Sequence, residues 1–70
     1  MITDRISTLC DGAAPMHERF NALFALRSLA TDDAIDALLT RLDAEREPSA
    51  LMRHEVAFAL GQMQTARAIP

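Results

Sequence analysis

The 70-residue chain is predicted to be all-α, a short α-solenoid of stacked helix hairpins. Half of its residues are hydrophobic, yet it has no Trp or Tyr and only three Phe, two Gly and three Pro, a composition that favours helices. The chain also resembles itself at an offset of thirty-four residues, and a helix hairpin repeated at this period is typical of a solenoid. No stretch alternates polar and apolar residues as a half-buried strand would.

The first two helices follow from apolar spacing. A short helix places Ile2, Ile6 and Leu9 on one face and is expected to end at Asp11-Gly12. A second helix is expected over residues 19–30, with apolar residues on most of its sides. A helix of this kind is normally packed between neighbours.

The later helices follow from end signals as well as spacing. The stretch Thr31-Asp32-Asp33 supplies N-cap candidates and acidic first-turn residues for a third helix that runs to about Leu42. Residues 43–49 form a charged loop, and a fourth helix is expected over residues 50–63. Residues 65–70 are expected to begin a further helix, because the repeat places them opposite the start of the third.

The repeat divides the chain into a capping helix (residues 1–14), a first repeat (15–48) and an incomplete second repeat (49–70). Its register aligns Arg19 with Arg53 and Phe24 with Phe58. Such units are apolar where they stack, and at least three are normally needed for stability. We therefore expect a fragment of a longer solenoid, or a chain that completes its core with another chain and is marginally stable or self-associating alone.

Charge and composition exclude several classes of function. The net charge is −3, and no basic cluster is present, so nucleic-acid binding is not expected. The apolar run over residues 22–26 is too short to span a membrane, and residues 1–5 lack the features of a signal peptide. A single cysteine, Cys10, excludes an internal disulfide. We expect a cytoplasmic protein.

The strongest site candidate is the adjacent pair His54-Glu55, on a helix that is otherwise apolar and is expected to be buried. Burying a carboxylate costs several kcal/mol unless a partner or a metal takes up its charge. Imidazole and carboxylate are both good ligands for first-row metals. Adjacent residues on a helix point about 100° apart, so the pair supplies one or two ligands from one wall. The simpler alternative, which is commoner in an arbitrary helix, is a surface pair beside Arg53.

The second pair, His17-Glu18, is a weaker candidate because it is out of register. The repeat aligns it with Leu51-Met52. It follows Pro15, so it is expected in the first turn of a helix, where Glu18 complements the helix dipole and His17 is solvated.

The remaining candidates carry less chemistry. Cys10 is most simply a small apolar filler. Gly61 lies mid-helix at a cost of up to about 1 kcal/mol, which a close approach by a neighbouring helix or a ligand would explain. There is no glycine-rich phosphate loop and no Ser-His-Asp spacing.

Three motifs occur together in this chain: Arg-Phe-x-Ala-Leu-Phe-x-Leu-Arg at 19–27, Ser-Ala-Leu-x-x-His-Glu at 49–55 and Leu-Gly-Gln-Met at 60–63. In this combination the chain resembles the deoxyhypusine hydroxylase family, over about residues 15–70. The shorter motifs Ala59-Leu60-Gly61 and Ala68-Ile69-Pro70 occur in many HEAT-like repeats and are less specific.

The resemblance implies a HEAT-like solenoid of two similar halves. In that family four His-Glu pairs hold a non-haem di-iron centre, which activates dioxygen and hydroxylates the deoxyhypusine side chain of a translation factor. Iron is therefore the implied cofactor and that translation factor the implied partner. By resemblance His54 is an iron ligand, and Glu55 is either a ligand or the anion that receives the substrate's ammonium groups.

Only one in-register His-Glu pair, His54-Glu55, is present. The resemblance therefore implies an amino-terminal segment that is inactive on its own. The second hypothesis is a non-catalytic HEAT-like module that binds a protein partner and in which the pair is incidental.

Overall fold

The computed structural model describes the backbone of residues 2–68 and the side chains of residues 2–64. Over this part the chain forms four α-helices: α1 (Ile2–Cys10), α2 (Met16–Leu29), α3 (Asp32–Thr40) and α4 (Ala50–Ala68). The described residues contain no strand, so the all-α prediction is confirmed. None of these helices combines the length and the apolarity needed to cross a membrane.

The helices form two layers, one of α1 and α3 and the other of α2 and α4. α1 packs on α2 and α3 packs on α4, while α1 lies beside α3 and α2 lies beside α4. The second helix pair therefore stacks on the first, as in a helical repeat. Fully buried apolar side chains from all four helices meet between the layers: Leu9, Leu23, Leu26, Leu38, Met52 and Val56.

The thirty-four-residue repeat is carried by α2 and α4. These helices begin at Met16 and Ala50, and Phe24 and Phe58 are each the ninth residue of their helix. The predicted equivalence of the two phenylalanines is therefore confirmed. α1 and α3 end only thirty residues apart, because the loop before α4 is longer than the loop before α2.

Local hydrogen bonds explain the sharp junction between α2 and α3. Ala30 adopts a left-handed conformation with a φ of 52°, and its N–H donates to the carbonyl oxygen of Leu26 at 3.0 Å. The hydroxyl of Thr31 accepts a hydrogen bond from the N–H of Ala34 at 3.2 Å. Among the candidates at residues 31–33, Thr31 is therefore the residue that caps α3.

Two expectations about the helices are wrong. The backbone of α4 continues through Thr65 to Ala68, so the break expected after residue 63 is absent. No proline or glycine interrupts residues 62–68, and helix propensity prevails over the repeat pattern there. The last part of the expected further helix, residues 69–70, lies outside the described residues. The second error concerns exposure: α2 is not packed between neighbours on most of its sides, since Phe24 is 42% exposed. The equivalent residue of α4, Phe58, is 60% exposed.

Candidate functional site

The exposed side of α2 and α4 is here called the α2–α4 face. It comprises Phe20, Phe24 and Arg27 on α2, and His54, Phe58 and Gln62 on α4. The rings of Phe20 and Phe24 stack with centroids 6.4 Å apart, and the guanidinium of Arg27 lies 5.2 Å from the centroid of Phe24. Arg27 Nη1 also donates to Gln62 Oε1 at 2.9 Å, so a hydrogen bond joins the two helices across this face.

The pair His54-Glu55 lies on and beside this face. His54 is exposed, so the expectation that the pair lies on a buried helix is wrong for this residue. His54 precedes Phe58 by one turn, so both lie on one stripe of α4. Glu55 is half-buried and precedes Gln62 by seven residues, or about 20° short of two full turns. Since Gln62 contacts α2, Glu55 lies on the α2 side of the helix. Within the described residues, the side chains of His54 and Glu55 make no hydrogen bond or ion pair. Their nitrogen and oxygen atoms are therefore available to bind a ligand.

The second pair lies where the sequence placed it. His17 and Glu18 are the second and third residues of α2, and both are exposed. Glu18 therefore lies in the first turn, where a carboxylate complements the helix dipole.

The residues present fit only part of a metal site. In the described chain, no three side chains of His, Cys, Asp or Glu are grouped closely enough to hold a metal ion. His54 and Glu55 can supply one imidazole nitrogen and one carboxylate from a single wall, which suits iron in ligand type. Any further ligands must come from another element. Whether this wall is the concave side of a longer solenoid stays a prediction.

Among the described residues the buried carboxylate is Glu47, which the sequence placed in a charged loop. Glu47 is 1% exposed and Arg19 is 3% exposed. Arg19 binds both carboxylate oxygens, with Nη1 at 3.2 Å from Oε2 and Nη2 in contact with Oε1. Arg41 Nη1 lies 3.6 Å from Oε1. A buried carboxylate was expected on α4, but it lies in the loop before that helix. Arginine side chains rather than a metal compensate its charge.

The environment of Glu47 acts on its pKa in opposite directions. Burial raises the pKa of this carboxyl, because the charged form loses solvation. The hydrogen bond from Arg19, the hydrogen bond from the Ser49 N–H and the charges of Arg19 and Arg41 lower it by more. The pKa therefore lies below its ordinary value, and Glu47 is ionised at neutral pH.

The Glu47 cluster also reaches the start of α4. The N–H of Ser49 donates to Glu47 Oε2 at 3.3 Å, and Arg53 Nη1 donates to the Glu47 carbonyl oxygen at 2.6 Å. Ser49 Oγ in turn accepts from the N–H of Met52 at 3.1 Å and caps the helix. One sequence signal pointed here: Arg19 and Arg53 occupy equivalent positions of the repeat.

Gly61 lies on a different surface, a groove of about 380 Å³ between α3 and α4. Nothing lies within 4 Å of the position that a Gly61 Cβ would occupy. The described residues therefore do not supply the close neighbour that sequence analysis expected. The groove is lined mainly by apolar side chains, including Ile35, Leu39, Leu42, Ala57 and Leu60.

The chain belongs to the PBS lyase HEAT-like repeat family, whose model matches residues 18–44 and 52–70. These two matches cover α3, most of α2 and most of α4. The family therefore agrees with the stacked helix pairs and with the repeat register.

Individual relatives share one name. The chain is 56% identical over 62 residues to deoxyhypusine hydroxylase-B of Oryza sativa subsp. japonica, covering 89% of the chain and 20% of that protein. It is 49% identical over 63 residues to deoxyhypusine hydroxylase of Homo sapiens, covering 90% and 20%. The resemblance predicted from the motifs is confirmed, and the chain spans about a fifth of the length of these relatives. No solved structure matches the chain.

Proposed function

We propose that this chain is a segment of a deoxyhypusine hydroxylase and that its α2–α4 face forms one wall of an iron-dependent site. The similarity to proteins of that name over about nine-tenths of the chain carries the proposal. The availability of an imidazole and a carboxylate, side by side on α4, supports it.

His54 is the proposed iron ligand, because its exposed ring can present a nitrogen to a metal above the face. Glu55 is either a second ligand or the anion that receives the ammonium groups of a deoxyhypusine side chain on a translation factor. Phe58, one turn further along, provides an apolar surface beside the pair. When bound, iron supplies the activation of dioxygen for the hydroxylation. The chain alone is inactive in this proposal, because one pair cannot fill two coordination spheres.

The two histidines offer a matched test, since both are exposed and each precedes a glutamate. Fe²⁺ added under anaerobic conditions should broaden NMR signals around His54 in the 70-residue protein. His54→Ala should abolish this effect, whereas His17→Ala should leave it unchanged. Equal losses in both variants would mean that the wrong pair was chosen, and no effect of Fe²⁺ on the wild type would remove the metal proposal.

The roles of Glu55 separate in a longer chain that has hydroxylase activity. If the Glu55→Gln variant keeps iron but loses substrate binding, Glu55 is the group that binds the ammonium of the substrate. Loss of iron as well assigns it to the metal.

The second candidate is a non-catalytic module that binds a protein partner. The exposure of Phe24 and Phe58, at equivalent positions of α2 and α4, favours it, because exposed large apolar side chains can mark a binding surface. In this case His54→Ala has no effect on metal content and Phe58→Ala weakens binding of the partner.

Two further points belong to the same proposal. We propose a cytoplasmic location, because a lone Cys10 suits a reducing compartment. We also propose that copies of the chain associate through exposed apolar surface.

A further inference from the structure

We propose that Glu47 is a positioning residue for the His54-Glu55 pair. By binding Arg19 through its carboxylate and Arg53 through its carbonyl, it fixes the first turn of α4 relative to α2. The inference rests on the proposed function, since it gives Glu47 a role toward residues proposed to bind iron.

The first half of this connection is the attachment of Glu47 to the first helix pair. Arg19 belongs to α2, and its Nε and Nη2 atoms donate to the carbonyl oxygen of Leu9 at 3.0 and 2.8 Å. The same guanidinium binds both oxygens of Glu47. The carboxylate is therefore held against the end of α1 and the start of α2, in a planar two-point geometry that leaves it little freedom.

The second half is the attachment of Glu47 to α4. The side chain of Arg53 turns back to the Glu47 carbonyl oxygen at 2.6 Å, and Arg53 is the residue immediately before His54. The Ser49 N–H donates to the Glu47 carboxylate, while Ser49 Oγ caps the helix at Met52. A movement of Glu47 would therefore move the first turn of α4, and the pair in its second turn with it.

The repeat register relates the two arginines that bind Glu47. Arg19 and Arg53 are equivalent residues of successive repeats, and Glu47 lies between them. One glutamate thus joins the same position of two units, so the placement of α4 relative to α2 depends on it. Residues that hydrogen-bond metal ligands hold them in place, and their loss typically weakens metal binding by about tenfold or more. Glu47 acts one step further out, through Arg53 and the first turn of α4.

Two variants and one control test the connection. Glu47→Gln removes the charge that Arg19 and Arg41 compensate. Arg53→Met removes the hydrogen bond from Arg53 to the Glu47 carbonyl oxygen and leaves the Arg19–Glu47 pair intact. This variant therefore tests whether Glu47 positions α4 even if Glu47→Gln does not fold. Leu38→Ala removes a fully buried side chain of α3 outside the cluster and controls for a general loss of stability.

The first measurement is hydrogen exchange at the backbone amides of residues 53–56. Exchange there should accelerate by about tenfold more in Arg53→Met, and in Glu47→Gln, than in Leu38→Ala, relative to the amides of α2 in each protein. If Arg53→Met and Leu38→Ala accelerate these amides equally, Glu47 does not position α4 and the inference is wrong.

The second measurement is the affinity for Fe²⁺, read from NMR broadening around His54 at a temperature where all variants are folded. We expect it to fall by about tenfold in Arg53→Met and to be retained in Leu38→Ala. An unchanged affinity in Arg53→Met overturns the role toward the metal. If the wild type binds no Fe²⁺, the proposed function and the metal role fail together, while the exchange data still decide whether Glu47 positions α4.

Discussion

At the scale of single residues, the Arg19–Glu47 pair is the interaction whose removal should matter most to stability. Both side chains are almost fully buried, so each charge depends on the other for compensation. Truncating one partner of a buried pair leaves the other charge uncompensated, which is strongly destabilising.

Glu47→Ala should therefore lower the free energy of unfolding by about 3 kcal/mol. Glu45→Ala is the matched control, because Glu45 is an exposed carboxylate two residues away in the same loop, and it should change stability by less than about 0.5 kcal/mol. Urea denaturation measures both. Similar values for the two variants would show that burial of Glu47 contributes little.

The pH dependence of stability follows from the lowered pKa of Glu47. Because the folded state holds the carboxylate ionised below the pKa of the unfolded chain, which is about 4.3, its contribution is fully present above that value. It is lost as pH falls through the lower folded pKa. The stability difference between wild type and Glu47→Gln should thus be constant from neutral pH to about pH 5 and should shrink in more acidic solution. Glu45→Gln should show no such trend, and a difference that grows with acidity would contradict the assignment.

The residue scale also marks a limit of sequence reasoning. His54 and Glu55 are recognisable from residue type and motif, which are local signals. Glu47 is not, because its partner Arg19 is twenty-eight residues away and its neighbours in the loop are charged and exposed. Burial of a loop carboxylate is set by tertiary packing, which local pattern does not encode.

At the scale of helices, the ends that depend on local chemistry were predictable. Thr31→Ala should lower the free energy of unfolding by about 1 kcal/mol, because the N–H of Ala34 loses its side-chain acceptor at the start of α3. Thr31→Ser keeps a hydroxyl at the same position and should stay close to wild type. Thermal denaturation compares the two, and equal losses would mean that the hydroxyl is not the cause.

Two helix predictions failed, one because the repeat pattern was preferred to local propensity and one because tertiary packing decides exposure. The end of α4 was placed too early, since the repeat suggested a break where only helix-favouring residues occur. The exposure of Phe24 was also missed, because apolar spacing shows which residues share a face but not whether a neighbour covers it.

At the scale of the whole molecule, the layered stack was predictable because its period is present in the sequence. An open stacking surface was also expected from the incomplete repeat, but the set of residues that line it was not. The groove between α3 and α4 is the main example. Leu39 and Leu42 are 51% and 42% exposed there, and Gly61 has no side chain to fill the groove. On the first helix pair, the residues equivalent to Ala57 and Leu60 are Leu23 and Leu26, which the second pair buries.

An apolar surface that one repeat normally presents to the next favours association between copies when it is exposed. The 70-residue protein should therefore form concentration-dependent oligomers in sedimentation experiments. Leu42→Glu should shift it toward monomer, because a carboxylate in the groove would have to be desolvated on association.

Leu51→Glu is the control for this last prediction, since it makes the same change at a residue that is 54% exposed and lies outside the groove. It should leave the distribution of oligomers close to that of the wild type. If both variants dissociate equally, the contact lies elsewhere or is nonspecific. If the wild type is monomeric at every concentration, the open groove does not bind a second copy.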